Sequence, residues 1–197
     1  MSGKEKILVT TAAKHDRRAQ RTRAVLLAAF NELVLARGYE ALTVRDIIEH
    51  ANVGRSTFYE HFENKDDILR RSLRPVFGVL ADAVGTTTRP EAVEEILAHF
   101  RENARLTQTL LQGATHFLMS QILADLVEER LRALPISSRE APPAIPVASI
   151  AAHLAGGQLA LIESWLSSRA PCSCEALADA MRASANASLR ALSGTGP

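Results

Sequence analysis

The sequence predicts an all-α protein with a small N-terminal helical domain and a larger C-terminal helical domain. Apolar residues recur at helical spacing along the chain, and no stretch alternates between apolar and polar residues as a half-buried strand would. Aromatic residues make up only 5% of the 197 residues, whereas apolar residues make up 47%, which is enough for a buried core. About nine helices are expected.

The N-terminal domain is expected to hold three helices over residues 17–63, preceded by a flexible basic arm at residues 1–16. Its first helix should run from about Arg17 to Arg37, because Val25, Leu26, Ala29, Phe30, Leu33 and Val34 fall on one side. Gly38 then stands where a left-handed C-cap belongs.

Two short helices should follow at about 44–50 and 55–61, separated by the break Ala51-Asn52-Val53-Gly54. Thr43 is a favourable N-cap for the first of them, and Asp46 lies in its first turn, where a negative charge suits the helix dipole.

The second domain is expected to cover residues 64–192, followed by a disordered tail at 193–197. Asn64 can cap a fourth helix that carries on toward residue 83, and Pro75 should end or kink it near Leu73. The boundary between the domains would then lie on this helix.

Beyond the fourth helix, the spacing of apolar residues predicts five more. They are expected at about 91–105, 107–112, 114–133, 147–168 and 175–192, with a loop rich in Pro and Ser at 135–146.

The segment Thr43–Lys65 has the pattern of a helix-turn-helix, in which a second short helix enters the major groove of DNA. At 100° per residue, Phe58 and Phe62 point together toward a core that should include Ile47, Ile48 and Val53. The opposite side of the same helix presents small polar residues and one arginine. Such a surface allows close approach to base edges, so double-stranded DNA is the expected partner.

The candidate DNA contacts follow from donor chemistry. Arg55 suits a bidentate contact to guanine, whereas Ser56 and Thr57 can contact bases or phosphates. The remaining candidates are assigned to backbone phosphates: Thr43, Arg45, Tyr59, His61 and Lys65.

These residues resemble the tetracycline-repressor (TetR) family of bacterial regulators over roughly residues 18–70. The resemblance is carried by Gly38-Tyr39, by Thr43-Val-Arg-Asp-Ile-Ile, and by the run from Val53 to Lys65 that contains Thr57-Phe-Tyr-Glu-His-Phe62. It implies an all-α homodimer, palindromic operators, and a small-molecule effector site in a C-terminal ligand-binding and dimerisation domain. Repressor is favoured over activator by this resemblance only. Glu60 departs from the expected chemistry, because it places a carboxylate on the DNA-facing side.

The distribution of charged and apolar residues indicates which kind of partner and which location to expect. Residues 1–75 hold 14 Lys and Arg against 10 Asp and Glu, and the rest hold 9 against 12, so an anionic partner is expected at the N-terminal end. The N-terminal apolar stretch is too short for a signal peptide, and His153, Gln158 and Glu163 argue against a membrane span at 146–166. A cytoplasmic location is therefore expected.

Neither a metal site nor a cofactor is expected. Cys172 and Cys174 are too close for an unstrained disulfide, and no pair of histidines or cysteines has recognised zinc spacing. The chain contains no phosphate loop, nucleophile elbow, zinc-protease motif or paired-carboxylate signature, so no catalytic residue is assigned and a small all-α enzyme is the least favoured alternative.

The helix at 147–168 is apolar nearly all round, so a second surface should cover it, and we expect a two-fold dimer built with the last helix. The predicted interface residues are Ile150, Leu154, Gly157, Leu161, Trp165, Leu177, Met181 and Leu189.

An effector pocket for an apolar or lipophilic ligand is expected among the fourth to eighth helices. Its predicted wall residues are Phe77, Leu80, Phe100, Leu110, His116, Phe117 and Met119. A regulator of the same fold that is constitutive or controlled by a protein partner remains an alternative.

Overall fold

The computed structural model describes residues 3–84, 89–133, 145–167 and 172–192, and for residues 3–16 it describes the backbone alone. These parts of the chain form nine α-helices, as the sequence predicts, and contain no strand. The helices are α1 (Gly3–Arg37), α2 (Val44–Ala51), α3 (Arg55–His61), α4 (Lys65–Asp82), α5 (Pro90–Glu102), α6 (Ala104–Leu110), α7 (Gly113–Ala133), α8 (Val147–Leu166) and α9 (Cys174–Leu192). The predicted loop at 135–146 and the tail at 193–197 lie largely outside the described residues.

The chain divides into two compact units, Met1–Leu69 and Arg70–Pro197. The division falls within α4, so this helix contributes residues to both units.

In the first unit, α2 and α3 pack against α1 around a core without solvent exposure. Leu26 and Phe30 of α1 are fully buried, as are Ile47 of α2 and Phe58 of α3. Burying a large apolar side chain contributes about 1.5–3 kcal/mol, so this core holds helices that are too short to be stable alone.

The predicted start of the first helix is wrong, because α1 begins at Gly3 rather than at about Arg17. The helix therefore includes most of the residues predicted to form an arm at 1–16. The stretch 4–37 contains neither glycine nor proline. Once a helix is nucleated, each further residue adds one backbone hydrogen bond at little cost, so the helix extends through this stretch.

The sequence predicts a fourth helix that carries on toward residue 83 and that Pro75 ends or kinks near Leu73. Its extent is confirmed, because α4 continues through Pro75 to Asp82, so the proline does not end it. Proline removes one helical hydrogen bond, but its fixed φ is compatible with a helix. Phe77 and Leu80 beyond the proline are fully buried, and their burial offsets the lost bond.

In the second unit, α7 packs along α8, and α9 packs against both α5 and α8. Three ion pairs join the charged side chains of α4 and α7: Arg70–Asp125 at 3.7 Å, Arg74–Glu129 at 3.4 Å and Arg130–Asp82 at 2.5 Å. They lie at the edge of an apolar core that includes Leu97, Leu123, Val127 and Leu159.

Candidate nucleic-acid interface

Helix α3 is attached to the rest of the first unit by its aromatic side. Phe58 is fully buried and Phe62 is 5% exposed, and their rings lie 6.0 Å apart between centroids. The predicted anchoring by these two phenylalanines is confirmed, together with the burial of Ile47.

The opposite side of α3 faces solvent. Arg55, Ser56, Tyr59 and Glu60 are exposed, and Thr57 is half-buried. The guanidinium of Arg55 lies 5.6 Å from the centroid of the Tyr59 ring, so the two side chains share one surface. Donors on a short, firmly packed helix are the chemistry that readout of base edges requires.

The position of α2 is set by a capping box at its N-terminus. The hydroxyl of Thr43 accepts a hydrogen bond from the backbone N–H of Asp46 at 3.2 Å, and the carboxylate of Asp46 accepts from the backbone N–H of Thr43 at 2.9 Å. The hydrogen bonds from Thr43, helped by Arg37 at 3.3 Å, lower the pKa of Asp46 below its ordinary value. The predicted N-cap is confirmed.

The turn between α2 and α3 depends on a left-handed residue. Asn52 has φ +51° and donates its N–H back to the last turn of α2, while Gly54 is the N-cap residue of α3. Asparagine tolerates this conformation better than most residues, so the chain reverses within a few residues and sets α3 against α2.

An open groove of about 500 Å³ lies between α2 and α3 on the exposed side. It is lined by Thr43, Val44, Arg45, Ile48, Glu49, Arg55 and Tyr59. The structure thus brings four of the predicted contact residues to one groove, and adds Val44 and Glu49, which sequence reasoning missed. Ile48, which the sequence predicts in the core, is instead half-buried and lines the same groove. Helical spacing from Arg45 to Ile48 and Glu49 was the signal that could have found them.

The groove is lined by both positively and negatively charged side chains. Arg45 donates from Nε to Glu49 at 2.7 Å, and this hydrogen bond raises the pKa of Arg45. Because both side chains are exposed, the pair is screened by solvent and can open toward a polyanion at small cost.

His61 and Lys65 lie away from this open surface. His61 is half-buried, and its Nδ1 is buried without a hydrogen-bond partner among the described residues. Lys65 donates from Nζ to the carbonyl oxygens of Tyr39 at 2.9 Å and Glu40 at 3.4 Å, and lies 4.5 Å from the Tyr39 ring centroid. Lys65 therefore stabilises the segment after α1, a role the sequence did not reveal, and its contact with phosphate stays a prediction.

The residues predicted to form an effector pocket are mostly core. Phe77 and Leu80 are fully buried, Met119 is 1% exposed, and Phe100 and Leu110 are buried as well. His116 is half-buried. The prediction for Phe117 is wrong, because its ring is 66% exposed and faces outward from α7, which the helical period alone could not decide.

The predicted dimer residues also need correction. Ile150, Leu154, Trp165, Leu177, Met181 and Leu189 are buried within the single chain, because α8 and α9 pack against each other and against the rest of the second unit. Only Gly157 and Leu161 of that set are exposed or half-buried. They line a groove of about 200 Å³ between α8 and α9, together with His153, Leu154, Gln158, Ser184, Ala185 and Ser188.

Within the described residues, no cluster of three or more metal-ligating side chains occurs. The described helices also include none whose length and apolar character would let it cross a membrane.

Comparison with known proteins agrees with this geometry. Residues 26–71 match the family of bacterial regulatory proteins named tetR. The HTH-type transcriptional regulator TcmR of Streptomyces glaucescens is 38% identical over 64 residues, which cover 32% of this chain and 27% of that protein. The HTH-type transcriptional regulator YxbF of Bacillus subtilis (strain 168) is 32% identical over 76 residues, 38% of this chain and 20% of that protein. The matched segments thus span less than a third of these two curated relatives.

Solved structures extend the similarity beyond the first unit. A TetR transcriptional regulator from Streptococcus agalactiae 2603V is 29% identical with a TM-score of 0.55, and the alignment covers 88% of this chain and 98% of that one. A TetR-family regulator from Syntrophomonas wolfei has the same TM-score at 20% identity, over 84% of this chain and 93% of that one, which supports the fold alone. Residues 26–71 thus match the tetR family of bacterial regulatory proteins, and the similarity to solved TetR regulators extends over most of the chain.

Proposed function

We propose that this chain is a transcriptional regulator that acts in the bacterial cytoplasm and reads a palindromic operator as a homodimer. The observation that carries the proposal is α3 itself, buried through Phe58 on one side and exposing Arg55, Ser56 and Tyr59 on the other. In this proposal Arg55 contacts a guanine, and Thr43, Arg45 and Tyr59 contact phosphates along the groove. The chain has a regulatory rather than a catalytic role.

The homodimer is proposed to form through the outer face of α8 and α9. This face is rich in small residues beside His153: Ala152, Gly157 and Ala160 are exposed on α8, and Ala180, Ser184 and Ala187 on α9. Small side chains allow two helices to approach closely, and a two-fold pairing would make a four-helix interface. Two copies of α3 would then face successive major grooves, which repeat at about 34 Å.

Regulation is proposed to come from a small, lipophilic effector that binds in the second unit and releases the operator. The apolar side chains of Phe77, Leu80 and Met119, which are buried in the second unit, support an apolar ligand. Because α4 carries residues of both units, an effector that shifts α4 by favouring one state by a few kcal/mol could change the spacing of the two recognition helices.

The proposal is tested by selecting bound fragments from a random pool of DNA duplexes. A regulator of this kind should recover a palindrome whose half-sites are one helical turn apart. Arg55→Ala should weaken binding by about 1–3 kcal/mol and relax base choice at one position of each half-site. Arg105→Ala is the matched control, because it removes one exposed arginine from α6 in the second unit and should leave affinity unchanged.

Failure to recover any preferred sequence in moderate salt would reject the DNA-binding function. Thermal-shift measurements with lipophilic compounds test the effector separately. A stabilising compound that also releases the selected DNA supports ligand control, whereas no response to the compounds favours the alternative of a constitutive or partner-controlled regulator.

A further inference from the structure

All the thiols of the chain lie in one tripeptide, Cys172-Ser173-Cys174, at the start of α9. Both cysteines are free, Cys172 is exposed and Cys174 is half-buried. The proposed regulatory mechanism uses neither of them.

The backbone that carries the two thiols is held at two points. Ser173 caps α9, because its hydroxyl accepts from the N–H of Ala176 at 3.1 Å and its carbonyl accepts from the N–H of Leu177 at 3.1 Å. The indole N–H of Trp165, on α8, donates to the carbonyl oxygen of Cys172 at 3.0 Å. The exposed Cys172 and the half-buried Cys174 are therefore carried by a constrained segment, which lowers the entropy lost when both thiols bind one centre.

We propose that Cys172 and Cys174 form a dithiol site that binds trivalent arsenicals. The arsenic atom of these compounds is thiophilic and can take two sulfur ligands. A direct S–S bond of about 2.05 Å is strained between cysteines two residues apart, whereas an arsenic atom placed between the sulfurs spans a wider gap. Thiolates are soft ligands and select soft centres. Within the described residues no third ligating side chain joins them in a cluster, which disfavours a tetrahedral zinc site.

The capture step needs no oxidant or reductant. With phenylarsine oxide as the probe, two arsenic–sulfur bonds form and the two arsenic–oxygen bonds of the oxide break. The two thiol protons leave with that oxygen as one water molecule, and arsenic stays trivalent.

The experiment titrates the reduced full-length protein with phenylarsine oxide and follows intact mass. Wild type should gain one phenylarsenic group per chain and should keep it in excess glutathione, because a monothiol competes poorly with a chelate. An added small dithiol should remove it. Cys172→Ser and Cys174→Ser should each weaken retention by about 100-fold or more, since each leaves only one thiol.

The single tryptophan of the chain gives a second readout of the same event. Arsenic bound to Cys172 should change the fluorescence of Trp165, because the indole N–H donates a hydrogen bond to the carbonyl oxygen of that cysteine. Trp165→Phe should abolish the optical signal but retain the mass gain. Circular dichroism checks that the serine variants keep their helical content, as isosteric changes at accessible sites should.

Loss of the probe from wild type in glutathione would overturn the proposal, and so would equal retention by a single-serine variant. Both results concern the thiols alone and leave the proposed DNA-binding function untouched.

Discussion

Replacing Phe58 by alanine should uncouple the recognition helix from the first unit. The ring is fully buried, with the centroid of the Phe62 ring 6.0 Å away and that of Tyr59 5.3 Å away. Truncating a fully buried phenylalanine costs about 3–5 kcal/mol, the lost ring contacts included. Small domains are stable by about 5–15 kcal/mol in total, so a large share of the stability of the first unit would be lost.

Hydrogen exchange read by mass spectrometry measures this loss where it occurs. The N–H groups of Phe58 and Phe62 donate to the carbonyls of Gly54 and Phe58 at 3.1 and 2.9 Å, so their protection reports opening of α3. A loss of 3–5 kcal/mol corresponds to a fall in protection of about two to three and a half orders of magnitude. A global melting curve is less informative, because two units can unfold separately.

Tyr59→Ala is the matched control, since it removes a ring from the next position of the same helix. Tyr59 is 49% exposed, so its truncation should cost less than about 1.5 kcal/mol. The reasoning fails if the two variants lose equal protection, or if Phe58→Ala loses less than tenfold, because α3 would then be held by something other than its aromatic side.

Three further changes test other features of the structure. The lowered pKa of Asp46 means that its capping interaction is fully present above its ordinary pKa of about 3.8 and is lost as the pH falls through the lower folded value. The destabilisation by Asp46→Ala, measured by urea unfolding, should therefore shrink in acid, and a constant difference down to pH 2 would contradict the assignment. Light scattering should show that Gly157→Leu prevents dimer formation and that Gly157→Ala preserves it. A Cβ at Gly157 meets no described atom within 4 Å in the single chain, so neither change should disturb the protomer itself. A dimer of the Gly157→Leu variant would place the interface elsewhere. Lys65→Met should destabilise the first unit by about 1–3 kcal/mol in exchange experiments, since two backbone carbonyls, one of them from Tyr39, lose a charged donor. No loss would show that water replaces the ammonium group.

The helix-turn-helix could be predicted closely because its determinants are local. A capping residue at Thr43, a left-handed residue before Gly54 and two phenylalanines four residues apart fix the ends and the buried side of α2 and α3. Each of these signals acts within one turn of the chain, so one sequence suffices to recognise it. The contacts of Lys65 with the segment after α1 span 25 and 26 residues, and no local pattern encodes them.

The sequence missed the start of α1 and did not decide whether Pro75 ends α4 or only kinks it. Charged and polar residues before Arg17 predict a loose arm, and Pro75 predicts an end or a kink of the helix, although both stretches are helical. Propensity is a weak guide where tertiary packing or simple propagation of an existing helix decides the outcome. Pro75 is followed within five residues by the fully buried Phe77 and Leu80, and that burial outweighs one missing hydrogen bond.

The dimer residues show where hydrophobic periodicity stops being informative. A large apolar side chain such as Leu154 or Met181 predicts burial, but the same burial satisfies an intrachain core and an interface between copies. Part of the exposed side of α8 is distinguished by small residues rather than by large apolar ones. Gly157 and Ala160 leave a surface that a second helix can approach closely and that a single chain leaves open to solvent. The residues that would carry dimerisation are therefore those whose side chains contribute least to the protomer's own core, and substitution at Gly157 tests the interface with little effect on the fold.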